Sequence, residues 1–314
     1  MPRPLLPFVL ALVLLLPGCG TPYRPAVVVR DSTPFPGIAG VIAANQPQAV
    51  DVILVHGICT HDAAWADAAI ERLAGIVETH APPSPAAAAP GDVCKPTRAR
   101  LNGIAKDRLL DDCLSDALIY EGASHEAMRD AMVEAVSQVL AEHPDDGATL
   151  VVVAESLGSK MLFDALDSML ESNQPRTRAL GRQAARRLGL VFMAGNQLPI
   201  LGLAEQTLAA RAMPAQDTLQ RFLELRRRQS APRAGGIARL GLVAFTDPND
   251  VLSYRLLPAR YAAPDVAVAD VLVSNGRTWL GLFENPFAAH LDYLANPDLG
   301  ALVACGYPIA PGCR

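Results

Sequence analysis

The sequence predicts an α/β fold, a mostly parallel sheet flanked by helices, and three observations carry the prediction. Short, continuous apolar runs recur along the chain, as expected for strands buried on both faces. Stretches with helical spacing separate them, and this alternation is the pattern of parallel strands joined through helices. Aliphatic residues and alanine dominate: hydrophobic residues make up 51% and aromatics only 5% of 314 residues. That is ample apolar material for a buried core, so a disordered chain is excluded. A net charge of −5 gives no reason to expect a nucleic-acid partner.

The first strand is Asp51-Val52-Ile53-Leu54-Val55, which opens through His56-Gly57 into a loop. Residues 62–80 read as a helix, and the proline- and alanine-rich stretch 81–90 as a surface loop. Residues 117–120 form a short strand candidate. Ser124 suits the N-cap of a helix to Glu142. A strand over residues 149–154 leads through Glu155-Ser156-Leu157-Gly158 into a helix ending near Leu170. Further strands follow at 188–194, 238–245 and 266–273. Residues 199–234 are mostly helical in pattern, and a last helix begins at Pro286.

The N-terminus reads as an export signal. Arg3 precedes an apolar run over residues 5–16, shorter than the roughly 20 residues of a membrane-spanning helix. Leu16-Pro17-Gly18-Cys19 follows and resembles a bacterial lipobox, in which the cysteine thiol is acylated and the preceding peptide removed. On this reading residues 1–18 are a lipoprotein signal peptide. Cys19 is the lipidated residue and holds the protein on a membrane surface outside the cytoplasm. Gly20 is not the acidic residue of inner-membrane retention, which points to the outer membrane. Prolines 22, 25, 34, 36 and 47 make residues 19–49 look like a tether, with the folded domain over residues 50–314. Of the six cysteines, Cys94 with Cys113 and Cys305 with Cys313 are the favoured local disulfides, and Cys59 reads as packing. No cysteine or histidine spacing suggests zinc, so neither metal nor cofactor is expected.

A serine hydroxyl becomes a nucleophile only with a base, oxyanion donors and exposure at a sharp turn. Ala154-Glu155-Ser156-Leu157-Gly158 fits the Gly-x-Ser-x-Gly elbow with alanine first, and it lies between a strand and a helix. Ser156 is therefore the candidate nucleophile. Among six histidines His290 alone follows the last strand, which makes it the candidate base. The acid that orients it should follow the strand before, where Asp247 and Asp250 both qualify; Asp247 is equally suited to bracing the turn at Pro248. The backbone N–H groups of Leu157 and Ile58 are the candidate oxyanion donors, since Gly57 allows close approach there.

Together the strand–His–Gly loop, the Ala-x-Ser-x-Gly elbow, Asp250 and His290 resemble the α/β-hydrolase superfamily over about residues 50–295. The segment from Pro286 to Tyr293 resembles the histidine segment of its lipase-like and serine-esterase-like members. The residue following Asp250, Val251, resembles the acid segment of lipases and favours Asp250, with Asp247 the alternative. The resemblance implies a helical cap between the sixth and seventh strands (about residues 196–236) and an ester or lipid-like substrate. Residues 176–239 hold twelve arginines against three acids, so Arg226-Arg227-Arg228 could dock such a cap on anionic lipid. A thioesterase or amidase with the same residues stays open, as does a silent lipoprotein that binds a partner.

Overall fold

In the computed structural model, residues 20–46, 48–57, 63–79, 87–88, 114–142, 147–205, 216–229, 239–309 and 313 are described. Among the described residues seven strands form one mixed, mostly parallel sheet: β1 (Val27–Val28), β2 (Val50–Val55), β3 (Ala87–Ala88), β4 (Thr149–Glu155), β5 (Leu188–Ala194), β6 (Leu240–Thr246) and β7 (Val266–Leu272). Their spatial order is β2-β4-β5-β6-β7-β1-β3. The run from β2 to β7 is parallel, and β1 pairs antiparallel with β7.

The central strands are buried on both faces, which is why they read as unbroken apolar runs rather than alternating ones. In β4, Leu150, Val152 and Ala154 join one core cluster, while Val151 and Val153 join the other. The first cluster is completed by α4 (His125–Glu142), α5 (Gly158–Glu171), α6 (Pro175–Arg187) and α8 (Thr218–Gln229). The second lies under α1 (Gly37–Asn45), α2 (Ala63–Thr79) and α11 (Pro297–Cys305). Short helices α3 (Leu114–Glu121), α7 (Leu198–Leu201), α9 (Pro258–Tyr261) and α10 (Pro286–Leu291) sit between these elements.

Several expectations need correction. Residues 117–120 are not a strand but part of α3. Ala117 and Tyr120, three apart, face inward while Leu118 and Ile119 are exposed, a helical spacing that four apolar residues cannot distinguish from a strand. The proline-rich stretch is no free tether: Tyr23, Ala26, Val28, Phe35, Ile38 and Val41 are buried, and α1 packs on α11. Within the expected cap, α8 packs along α5 and gives Leu219, Phe222 and Leu223 to the core. The three arginines ending α8 are engaged at the far end of the sheet from Ser156. Arg226 Nε donates to Ala185 O (3.0 Å), Arg227 pairs with Asp265 (3.1 Å) and Arg228 pairs with Glu224. Asp265 precedes β7, whereas Ser156 follows β4, so these arginines do not flank the candidate nucleophile. Cys305 and Cys313 are disulfide-bonded. Cys19, Cys59 and the Cys94–Cys113 pair lie outside the described residues.

Candidate functional site

Ser156 occupies the turn between β4 and α5 with φ +55°, a left-handed conformation that costs a non-glycine residue about 1–3 kcal/mol. The surroundings over-determine it. Its N–H donates to Ala194 O across the sheet (2.7 Å), and Ser159 Oγ donates to its carbonyl (3.1 Å). Two glycines make room. A Cβ on Gly57 would lie 2.6 Å from Leu157 N and 2.7 Å from Ser156 Cβ, and one on Gly158 would lie 2.9 Å from the carbonyl oxygens of Val55 and His56. The loop after β2 is thereby seated directly on the turn. Ala154, which stands where the elbow pattern has glycine, is fully buried in the sheet beside Val55.

The structure brings Ser156, His290 and Asp250 into one hydrogen-bonded chain. Ser156 Oγ lies 2.9 Å from His290 Nε2, and His290 Nδ1 lies 2.9 and 3.0 Å from the two oxygens of Asp250. His290 comes from α10, which Pro286 starts, and Asp250 from the loop after β6. All three are at least 95% buried, which shields the chain from competing water.

Asp247 is not part of that chain. Its oxygens accept the N–H groups of Asn249 (2.9 Å) and Asn275 (2.7 Å), and its carboxyl also meets Glu284. It braces the loop that presents Asp250, whose own N–H donates to Asp247 O (2.9 Å). Burial and the neighbouring Asp247 charge push Glu284 up to about 8, and burial raises Asp247 to about 6. Two adjacent buried carboxyls cannot both ionise cheaply, so they hold a shared proton.

Four residues around the site were not legible in sequence. Gln197 Nε2 donates to Ser156 Oγ (2.9 Å); it follows Gly195, whose φ of +64° turns the chain sharply after β5. Asn196 fixes that loop, its Nδ2 donating to Tyr254 O (3.0 Å) and its Oδ1 accepting the Leu198 N–H (3.2 Å). Tyr293 OH donates to Asp250 (2.9 Å) and accepts the Asp247 N–H (2.8 Å), linking the two acids. The fourth is Lys160, buried on α5 four residues after Ser156, which pairs with Asp164 (2.7 Å), Glu205 (2.8 Å) and Glu121 (3.6 Å). It ties α3 and the turn after α7 to α5. A usable signal existed only for Gln197: it is a polar residue just past the C-terminal end of a buried strand, the end that also bears Ser156 and Asp250.

Of the two proposed oxyanion donors, Leu157 N–H sits at the N-terminus of α5, where the helix dipole favours negative charge. Ile58 lies outside the described residues. Burial raises Glu155, adjacent to Ser156, to about 7. Among the described residues no group of three or more His, Cys, Asp or Glu could hold a metal ion. Chemically, the arrangement can draw a proton from a serine hydroxyl to an imidazole whose orientation a carboxylate fixes. No family model, no curated protein and no solved structure matches the chain.

Proposed function

We propose that the protein is a serine hydrolase of the α/β-hydrolase kind that cleaves carboxylic esters. The observation that carries this reading is the continuous Ser156–His290–Asp250 hydrogen-bonded chain on a left-handed serine between strand and helix. In the proposed reaction His290 Nε2 takes the Ser156 proton as Oγ attacks the acyl carbon. Leu157 N–H, with the Gln197 amide and the Ile58 N–H as partners, stabilises the oxyanion. His290 then returns the proton to the leaving alcohol, and water, deprotonated by His290, releases the acid from Ser156. Asp250 holds the imidazole tautomer throughout and stabilises the imidazolium. The proposal includes acylation of Cys19 and a place on a bacterial membrane surface outside the cytoplasm, the outer membrane being preferred.

A fluorophosphonate probe tests the reading directly. The folded protein should be labelled, Ser156→Ala should not, and p-nitrophenyl esters should be hydrolysed by the first alone. Folded protein that neither labels nor turns over would favour a binding module. Higher turnover on thioesters or amides than on esters across the same acyl lengths would move the substrate class.

A further inference from the structure

The segment between β7 and α10 makes a tight turn that presents its apolar side chains to solvent. Trp279 N–H donates to Phe283 O (2.7 Å) and Leu282 N–H to Trp279 O (2.9 Å), closing the turn. Its tip holds Leu280 at φ +53° and Gly281 at φ +66°. Trp279 is 58% exposed, with Leu280 at 43% and Leu282 at 46%. Arg277, also exposed, stands two residues before the tryptophan. A left-handed leucine spends backbone energy to hold an apolar side chain in water, the opposite of what core packing would select.

The chain itself says what covers this turn. Gly20 forms a bridge with Thr278, the residue before Trp279: Thr278 N–H donates to Gly20 O (2.8 Å), as does Thr278 Oγ1 (2.8 Å), and Gly20 N–H donates to Thr278 O (3.3 Å). Cys19 is one peptide bond before Gly20, and the apolar run of residues 5–16 precedes it. Whether acyl chains on Cys19 or the apolar run itself enters lipid, the anchor joins the fold beside Trp279. β1 runs antiparallel to β7, so residues 20–26 enter at the C-terminal end of the parallel strands, the end where Ser156 and His290 lie. Tryptophan, leucine and arginine together suit the headgroup boundary of a bilayer, where an indole keeps its N–H wet and buries its ring.

We propose that the Trp279–Leu282 turn is a membrane-contact surface that inserts beside the N-terminal anchor and holds the Ser156 end of the sheet toward the bilayer. This surface rests on the proposed anchoring, and its test separates the two. The full chain carrying Trp65→Phe keeps Trp279 as its one tryptophan. With vesicles of phosphatidylethanolamine and phosphatidylglycerol, Trp279 emission should shift to the blue and be quenched by lipids brominated on their acyl chains. Mass measurement of Cys19 reads the anchor independently, and so does sedimentation of Cys19→Ser with the vesicles. Vesicle-bound, acylated protein with unmoved Trp279 emission overturns the surface and leaves the anchor standing. Quenching retained in Cys19→Ser supports the surface without acylation. Trp279→Ser/Leu282→Ser in the Cys19→Ser background should weaken vesicle binding at least tenfold with Tm unchanged, and unaltered binding overturns the proposal. A blue shift that grows with protein concentration without vesicles, together with a dimer in sedimentation, would assign the turn to contact between copies and overturn it as well.

Discussion

At the scale of single residues, the division of labour between Asp247 and Asp250 follows from what each carboxylate already holds. Asp247 accepts two backbone N–H groups and meets Glu284, which turns its carboxyl toward its own loop, away from His290. Asp250 accepts from His290, Tyr293 and the Leu252 N–H. Under the proposed mechanism Asp250→Asn should lower kcat about 10⁴-fold by favouring the wrong imidazole tautomer. Asp247→Asn should leave kcat within about tenfold while lowering Tm, because its loss acts through the loop. Steady-state kinetics and thermal melts on the two variants decide the assignment, and the reverse ranking would exchange their roles. Gln197→Ala should lower kcat by about 10–10²-fold with little change in KM if its amide follows the charge from Ser156 Oγ to the oxyanion, somewhat less than loss of a dedicated oxyanion donor. Equal loss in KM alone would make it a substrate-binding group. Ser156 and His290 were legible in sequence because each follows from its position after a strand. The choice between two aspartates three residues apart leaned to Asp250 only through the resemblance at Val251; its physical ground, the Asn275 N–H on Asp247 and the Tyr293 hydroxyl on Asp250, is distant in the chain.

At the scale of elements, the elbow depends on backbone contact between the loop after β2 and the start of α5. Gly57→Ala would set a methyl against Leu157 N and the Ser156 side chain, none of it a flexible side-chain end. Turnover of p-nitrophenyl esters should fall about 10²-fold, the cost of a displacement near 1 Å at the reacting groups. Wild-type activity in that variant would show that the loop yields. At the opposite face the Cys305–Cys313 disulfide closes residue 313 onto α11. Cys305→Ala/Cys313→Ala should cost about 2–3 kcal/mol in denaturant melts, without changing kcat. Two elements escaped the sequence for different reasons. α6 is arginine-rich, and only Gly181, Ala184, Ala185 and Arg187 of its residues are buried, so it has little apolar periodicity to read. α3 was too short and too apolar for the period to show. Buried strands, by contrast, announce themselves because both faces are mostly apolar, with Asp270 inside β7 the exception.

At the scale of the whole molecule, buried carboxyls set the pH response. Burial, first among the causes, raises Glu284 to about 8, Glu155 and Asp167 to about 7 and Asp247 to about 6. The unfolded chain loses these protons near pH 4, so the folded state binds more protons between about pH 4 and pH 8. Stability must therefore fall as pH rises through that window. Tm at pH 6 should exceed Tm at pH 8.5, and Glu284→Gln, which mimics the protonated acid, should flatten the difference. A Tm that climbs with pH would contradict the burial of these groups.

The sequence by itself determined the mostly parallel α/β layering, the strand–turn–helix around Ser156 and the order of serine, aspartate and histidine. Each of these is a local matter of apolar period, small residues and position along the chain. Tertiary structure alone decided what holds Asp247 away from His290, that Gln197 and Tyr293 join the serine, histidine and Asp250, and that the proline-rich entry segment is packed. It also decided that the chain enters beside Trp279, at the Ser156 end of the sheet. These are contacts between residues tens to hundreds of positions apart, and only the register and direction of β1, β4, β5 and β7 bring them together.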